Sequence, residues 1–323
     1  MKRIISIDHG NRLTKGEFSV IPSAFMESDY LPSIGGDVLK YNGKVYTLVD
    51  QSLPVLNDKT EDERYFILSL FILGKELAQE ADTLRKLTPN EPINIELLIG
   101  LPLQHYETYR KKFERYFTDR VGVVRFELNS KPYSVRITGT HAFPQAFAAA
   151  ITAYDRLKDS RIVNIVDIGG FTVDCLQLNG FKPNLALCTS LYWGISTLCQ
   201  SINDRVRGAG ASRDISDDVI ERILGKEPDA LSEYSHSRIE TVTSTAASHV
   251  NRMLAEIAQK GFDLDEDKTV FMGGGSILLK EYIITAGKAK KPIFIDDINA
   301  NAKGYRMFYD TKNGNTGRKA HGA

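Results

Sequence analysis

The sequence predicts an α/β protein built from two related domains with mixed sheets. Two segments about 160 residues apart share one layout. The first runs Ile4-Ile5-Ser6-Ile7-Asp8-His9-Gly10-Asn11-Arg12-Leu13-Thr14-Lys15, the second Val163-Asn164-Ile165-Val166-Asp167-Ile168-Gly169-Gly170-Phe171-Thr172-Val173-Asp174. Each is an apolar strand, an Asp, a glycine turn and a return strand. In both halves strands come first and helices follow, which is how layered α/β domains are written. At 323 residues the chain can bury a large core and supports more than one domain.

The elements follow in order. Residues 3–7 and 13–21 read as strands joined by the first Asp/Gly turn. Val38 to Val49 reads as a hairpin turning at Asn42-Gly43. The longest apolar block, Tyr65 to Leu73, is too short to span a bilayer and belongs to a buried helix over 61–84. Ile93 to Ile99 is a buried strand closed by Gly100-Leu101-Pro102. A helix over 103–118 places Tyr106, Tyr109, Phe113 and Tyr116/Phe117 on one face. Strands at 122–128 and 133–138 precede an alanine-rich helix over 145–157.

The second half repeats the opening. Strand 161–167 meets strand 171–178 through Gly169-Gly170. Strand 184–189 leads into a helix with Ile195, Leu198, Ile202 and Val206 at helical spacing, broken at 208–211. Ser216, Asp217 and Asp218 cap a short helix through Leu224. A long helix over 239–260 ends at Gly261. Strand 269–272 enters Gly273-Gly274-Gly275, followed by helix 276–286, strand 292–295 and a last helix near 300–306. The Gly/Asn/Lys-rich stretch 311–323 reads as disordered.

Lys plus Arg equals Asp plus Glu at 41 each, so no net charge draws the chain to nucleic acid or an anionic membrane. Cys175, Cys188 and Cys199 have no paired spacing, which points to a reduced, cytoplasmic protein. The N-terminus shows no signal-peptide pattern. The six histidines lack ligand spacing, and His9 reads as a local turn residue.

The chemistry lies in the glycine turns. Backbone N–H groups near Gly10 and Asn11 suit phosphate oxygens, and Lys15 adds a point charge. Asp8 would repel phosphate directly, but fits if Mg²⁺ and its waters lie between. A plain β-hairpin with a turn Asp explains the same letters. The second turn sets Gly169, Gly170 and Phe171 beside the Thr172 hydroxyl, with Asp167 before them. A structural turn is again the alternative, and the pairing of the two favours phosphate. Gly273, Gly274, Gly275 and Ser276 join strand to helix, where close backbone approach to a flat ligand would explain three glycines. A flexible connection is the rival reading. Gln145 at a helix start can hold a water by hydrogen bonds without taking its proton, or is simply solvated.

Together these segments resemble the actin superfamily of ATPases, shared with sugar kinases and the seventy-kilodalton chaperones. Ile4 to Lys15 resembles the first phosphate loop and Val163 to Asp174 the second. Phe143 to Tyr154 is similar to the first connecting helix, with Gln145 where actin has its water-orienting Gln. Val270 to Ser276 resembles the adenosine loop, and Asn301-Ala302-Lys303-Gly304-Tyr305 lies in a segment similar to the second connecting helix. Asp8-x-Gly10-Asn11-x-x-x-Lys15 and Ile99-Gly100-Leu101-Pro102 are similar to the ParM/StbA group of plasmid-segregation actins. Phe171 stands where many relatives have Gly or Thr. Some ParM proteins have Glu at the position of Gln145, which leaves base and water-orienter both open.

The resemblance implies an actin-like fold with five-stranded mixed sheets flanking a nucleotide cleft. It places domain I at 1–152 plus 301–323, with a small insertion near 30–60, and domain II at 153–300. It implies an ATPase binding ATP/ADP and Mg²⁺, with GTP as a possible substrate. Gln145 and Asp167 would be catalytic. Gly10, Asn11, Lys15, Gly169, Gly170, Phe171 and Thr172 would bind phosphate, and Gly273, Gly274, Gly275 and Ser276 adenosine. Asp8 and Asp167 would hold Mg²⁺ mainly through water. The implied partners are copies of the chain in a head-to-tail filament and a ParR-like centromere-binding adaptor, with no direct nucleic-acid contact. Rival readings are a non-filamentous ATP-binding scaffold and a small-molecule kinase of the same superfamily.

Overall fold

The computed structural model describes residues 2–30, 36–49, 56, 58–79, 91–210 and 212–314. The chain divides into two compact units, 1–152 with 299–323, and 153–298. In the first unit β1 (Lys2–His9), β2 (Leu13–Lys15) and β3 (Val20–Pro22) form an antiparallel meander. β4 (Phe25–Ser28), β5 (Val38–Tyr41) and β6 (Lys44–Leu48) follow, with Asn42 and Gly43 at positive φ in the tight turn between the last two. Then come α1 (Arg64–Gln79), β7 (Ile93–Leu101), α2 (Leu103–Thr118), β8 (Val124–Leu128) and β9 (Lys131–Pro144), then two short helices, α3 (Phe147–Ile151) and α4 (Tyr154–Leu157). The boundary between units falls after Thr152, so α4 begins the second unit.

The second unit continues with β10 (Ile162–Ile168), β11 (Val173–Asn179), β12 (Lys182–Leu191), α5 (Ile195–Gly208), α6 (Asp217–Leu224), α7 (Pro228–Glu233) and α8 (His236–Gln259). It ends with β13 (Lys268–Met272), α9 (Gly274–Leu278), α10 (Lys280–Ala286) and β14 (Pro292–Phe294). α11 (Ala300–Lys312) returns to the first unit.

The two sheets share a kernel. The order β3-β2-β1-β7-β9 in one matches β12-β11-β10-β13-β14 in the other. In each, the first three strands are antiparallel and the last three parallel. The expected five-stranded sheet holds for the second unit, whereas the first has nine strands among the described residues. The extra four arise because the long β9 pairs β7 over its C-terminal part and folds back on β8 over its N-terminal part. β8 then accepts the β5–β6 hairpin and β4. The described part of the expected insertion near 30–60 thus extends the sheet; residues 31–35, 50–55 and 57 lie outside the described residues.

Periodicity placed the cores well. Every residue from Tyr65 to Leu73 is buried, and α2 buries Phe113 and Phe117 beneath it. Ile195, Leu198, Ile202 and Val206 of α5 are all buried, facing Val242, Val250 and Met253 of α8 in one apolar cluster. At about 25 cal/mol per Å² of apolar surface, such full burial is the main stabilising term of each unit.

Several boundaries differ from expectation. The strand read at 13–21 breaks at Gly16–Ser19, because the buried Glu76 carboxylate of α1 accepts from Phe18 N–H at 3.0 Å and Ser19 Oγ at 2.5 Å. The alanine-rich helix does not begin at Gln145. The Gln145 N–H donates to Leu101 O at 2.8 Å, tying it to the end of β7, and the chain turns through Gln145 and Ala146, the latter at φ +60°, before the helix starts at Phe147. The helix is then interrupted between α3 and α4. Ser216 precedes α6 but makes no side-chain hydrogen bond to it. α8 starts one turn early, α9 starts at Gly274 rather than Ser276, and α11 runs to Lys312. The expected disorder of 311–323 falls largely on residues 315–323, outside the described residues, and the described part is helix and turn. Among the described residues no helix is long and apolar enough to cross a membrane.

Candidate functional site

The first hairpin is built around Asp8, the penultimate residue of β1, which is 2% exposed. Its Oδ1 accepts from Gln145 Nε2 at 2.6 Å and from the Tyr305 hydroxyl at 3.2 Å. Its Oδ2 lies 3.5 Å from Asn301 Nδ2 and 3.6 Å from Lys15 Nζ. Lys15 reaches it because β1 and β2 pair Asp8 directly with Lys15. Four residues expected to act together (Asp8, Gly10, Lys15 and Gln145) therefore meet within one unit, Gly10 through its N–H to Asp8 O at 3.1 Å. Asn11 follows on the same loop, partly exposed.

The loop is held from behind. The Ser23 hydroxyl donates to Gly10 O at 2.6 Å, Ser23 N–H donates to Arg12 O at 2.9 Å, and Lys59 Nζ donates to His9 O. These donors take up the carbonyls of His9, Gly10 and Arg12, oxygens that would otherwise repel an anion approaching the turn.

His9 is not the turn residue the sequence suggested. It is fully buried, with Tyr65, Phe113 and Phe117 rings 5.7, 5.7 and 5.8 Å away. Ser69 Oγ donates to Tyr65 O at 2.7 Å, so its oxygen accepts from His9 Nε2–H at 2.7 Å, and Nδ1 has no partner. Burial, reinforced by the Lys59 charge, holds the imidazole well below its ordinary pKa. A depressed folded pKa means that stability is intact above the unfolded value of about 6.5 and declines as pH falls below it. Urea midpoints between pH 8 and 5 should show this decline, and His9→Gln should flatten it. His249, also lowered by burial, leaves a residual slope.

The second hairpin keeps Asp167, Gly169, Gly170, Phe171 and Thr172 together. Gly169 N–H donates to Thr172 O at 2.9 Å, which closes the turn. The carbonyls of Gly169, Gly170 and Phe171 accept from Ile195, Ser196 and Gly194 N–H at 3.2, 2.8 and 3.3 Å. The first turn of α5 thereby satisfies its otherwise unpaired donors on the loop itself. Sequence reasoning missed this support; Gly194 just before the helix was the available signal.

The triple glycine also answers a packing constraint within its own unit. A Cβ on Gly273 would collide with Asp167 Oδ1 and lie 2.6 Å from Ile168 O, and Gly273 sits at φ +84°. A Cβ on Gly275 would lie 2.8 Å from Ile168 O. Two of the three glycines thus let this loop pack directly on the second hairpin. Gly274 meets only Ile298, at an ordinary 3.5 Å. Ser276 is buried, its hydroxyl donating to Gly273 O at 2.9 Å.

Among the described residues no group of three or more His, Cys, Asp or Glu side chains could hold a metal ion. A carboxylate offers about four acceptor positions. Asp8 already faces four protein donors, one of them the Lys15 ammonium. Any role toward Mg²⁺ through its waters, as expected for Asp8, would share the carboxylate with these groups.

The N-terminal part, residues 6–147, matches the family model for the N-terminal domain of actin-like proteins. Residues 165–284 match that for the C-terminal domain of archaeal MreB-like actin homologues. No curated protein sequence matches the chain at a significant level. The archaeal actin homologue Ta0583 superposes with a TM-score of 0.74 at 17% identity, covering 95% of this chain and 99% of its own. Ta0583 has also been solved in complex with ADP (TM-score 0.71, 16% identity, with 95% and 99% covered). ParM in a 15-stranded filament from Clostridium botulinum gives a TM-score of 0.70 at 16% identity, with 96% and 99% covered. Bacillus thuringiensis ParM with ATP gives 0.66 at 12% identity, with 96% and 98% covered. The fold is therefore actin-like.

Proposed function

The chain belongs to the actin-like proteins, and from that premise we propose that it is a nucleotide-dependent, filament-forming ATPase that drives plasmid DNA segregation. The observation that carries the catalytic part is the 2.6 Å hydrogen bond from Gln145 Nε2 to Asp8. A carboxylate can only accept here, so the amide nitrogen faces Asp8 and Gln145 Oε1 is left to accept from a water. That Gln145 orients the attacking water rather than removing its proton suits phosphoryl transfer, which needs mostly positioning and charge stabilisation. The two hairpins are the phosphate-binding elements, through Gly10, Asn11, Gly169, Gly170, Phe171 and Thr172, with Lys15 as a cation. The loop Gly273 to Ser276 takes adenosine. Asp167 would hold, mainly through water, a Mg²⁺ ion that arrives with the nucleotide, and that ion would supply charge neutralisation at the phosphates.

ADP and ATP in the solved relatives support nucleotide binding, and the filament of the clostridial relative supports self-assembly. Head-to-tail contacts between identical subunits that do not close give an open polymer. The proposed setting is the cytoplasm, with a centromere-binding adaptor capturing filament ends. Pelleting and electron microscopy with ATP, GTP, ADP and no nucleotide, alongside phosphate release, test the reading. Nucleotide-dependent polymers that release phosphate are expected. Phosphate release without polymers at any concentration would favour the scaffold, and phosphate transferred only to an added small molecule the kinase. Asp167→Ala should abolish hydrolysis, and normal turnover in that variant would remove the site assignment.

A further inference from the structure

We propose that α11 carries the positioning device for Gln145, with Tyr305 as its principal residue and Asn301 as its second. This rests on the ATPase reading above. Asn301 and Tyr305 are four residues apart and so share one helix face. Both reach the same target. The Tyr305 hydroxyl donates to Asp8 Oδ1, the oxygen that also holds Gln145 Nε2. Asn301 Oδ1 accepts from Ala146 N–H at 2.9 Å, fixing the strained residue directly after Gln145, while its Nδ2 lies 3.5 Å from Asp8 Oδ2.

Tyr305 is rigid. It is fully buried and stacks on Phe143, with ring centroids 5.8 Å apart and planes 12° apart. Gly100, at the end of β7, makes the space: a Cβ there would overlap the Tyr305 hydroxyl and lie 3.0 Å from Gln145 Cγ. Three segments far apart in sequence therefore converge on the Asp8 carboxylate, and α11 holds both the partner of the Gln145 amide and the backbone that follows it. A buried tyrosine hydroxyl with no task beyond packing would be replaceable by phenylalanine without kinetic effect. Here its removal leaves Asp8 free to shift and Gln145 to follow. Tyr305 touches neither water nor nucleotide in this scheme and acts only through Gln145.

The test is a double-mutant cycle on the full chain. Tyr305→Phe keeps the ring and its stacking. We expect the maximal rate of phosphate release to fall roughly fivefold with KM for ATP little changed, since misplacing a positioned group lowers turnover before binding, and the thermal midpoint to fall by no more than the loss of one buried hydrogen bond explains. In a Gln145→Ala background the same substitution should change the rate less than twofold, because residues acting as a unit are not additive. Asn301→Ala supplies an independent variant with the same expected pattern. A normal rate in Tyr305→Phe, or an equal fivefold loss in both backgrounds, overturns the inference while leaving the ATPase reading standing. A parent protein that hydrolyses neither ATP nor GTP overturns both, and that outcome is seen before any variant is compared.

Discussion

Gly304→Ala is expected to destabilise the protein by about 2 kcal/mol, against the direction that helix propensity gives. Glycine inside a helix ordinarily costs about 0.5–1 kcal/mol relative to alanine, so an exposed Gly→Ala change in α11 would stabilise. Gly304 is buried, and a Cβ there would collide with the Ala148 carbonyl and lie 3.0 Å from Ala149 N. Those atoms are helix backbone in α3 and cannot rotate away. Overpacking of this kind costs typically 1–3 kcal/mol and occasionally more, so the clash outweighs the propensity gain. For a domain of this size the thermal midpoint should drop by roughly 4–8 °C. Because α11 also presents Asn301 and Tyr305, hydrolysis should weaken together with stability. A raised midpoint would show that α3 and α11 do not approach as closely as described.

Phosphate release is expected to fall about a hundredfold in Gln145→Ala, with nucleotide affinity retained, because a positioning group contributes on this scale. The variant also removes the shortest hydrogen bond to the buried Asp8, which costs about 1–3 kcal/mol of stability. Gln145→Glu separates the two roles left open for this position. A carboxylate there would face Asp8 at the present 2.6 Å contact, and two carboxylates that close cannot both ionise. Gln145→Glu should therefore be no better a catalyst than Gln145→Ala at neutral pH, and less stable. A Glu variant with wild-type turnover would show that the residue at 145 acts as a base.

Much of the fold was legible because it follows local periodicity. The helix over 103–118 lies where its aromatic spacing put it, and the second hairpin follows its apolar strands closely. The four extra strands of the first sheet were not legible, since edge pairing such as β5 on β8 joins residues far apart in sequence and depends on which edge is open. Nor was the fate of His9. Its neighbours in the chain are turn-forming, but the aromatic cage comes from α1 and α2, which no local pattern connects to it.

The sequence by itself determined the duplicated Asp/Gly hairpins, the strand-then-helix halves and the family they point to, because a turn needs glycine and a core needs regular apolar spacing. Only the tertiary structure decided what the letters do. It made Asp8, expected to face Mg²⁺ through water, a hub whose oxygens face Gln145, Tyr305, Asn301 and Lys15. It also showed that Gly273 and Gly275 leave room for strand β10, a packing need the sequence did not reveal. The physical reason is the same in each case. A buried carboxylate takes whichever donors the packing delivers, and a glycine serves whichever backbone comes closest, and both are settled by segments more than a hundred residues away in the chain.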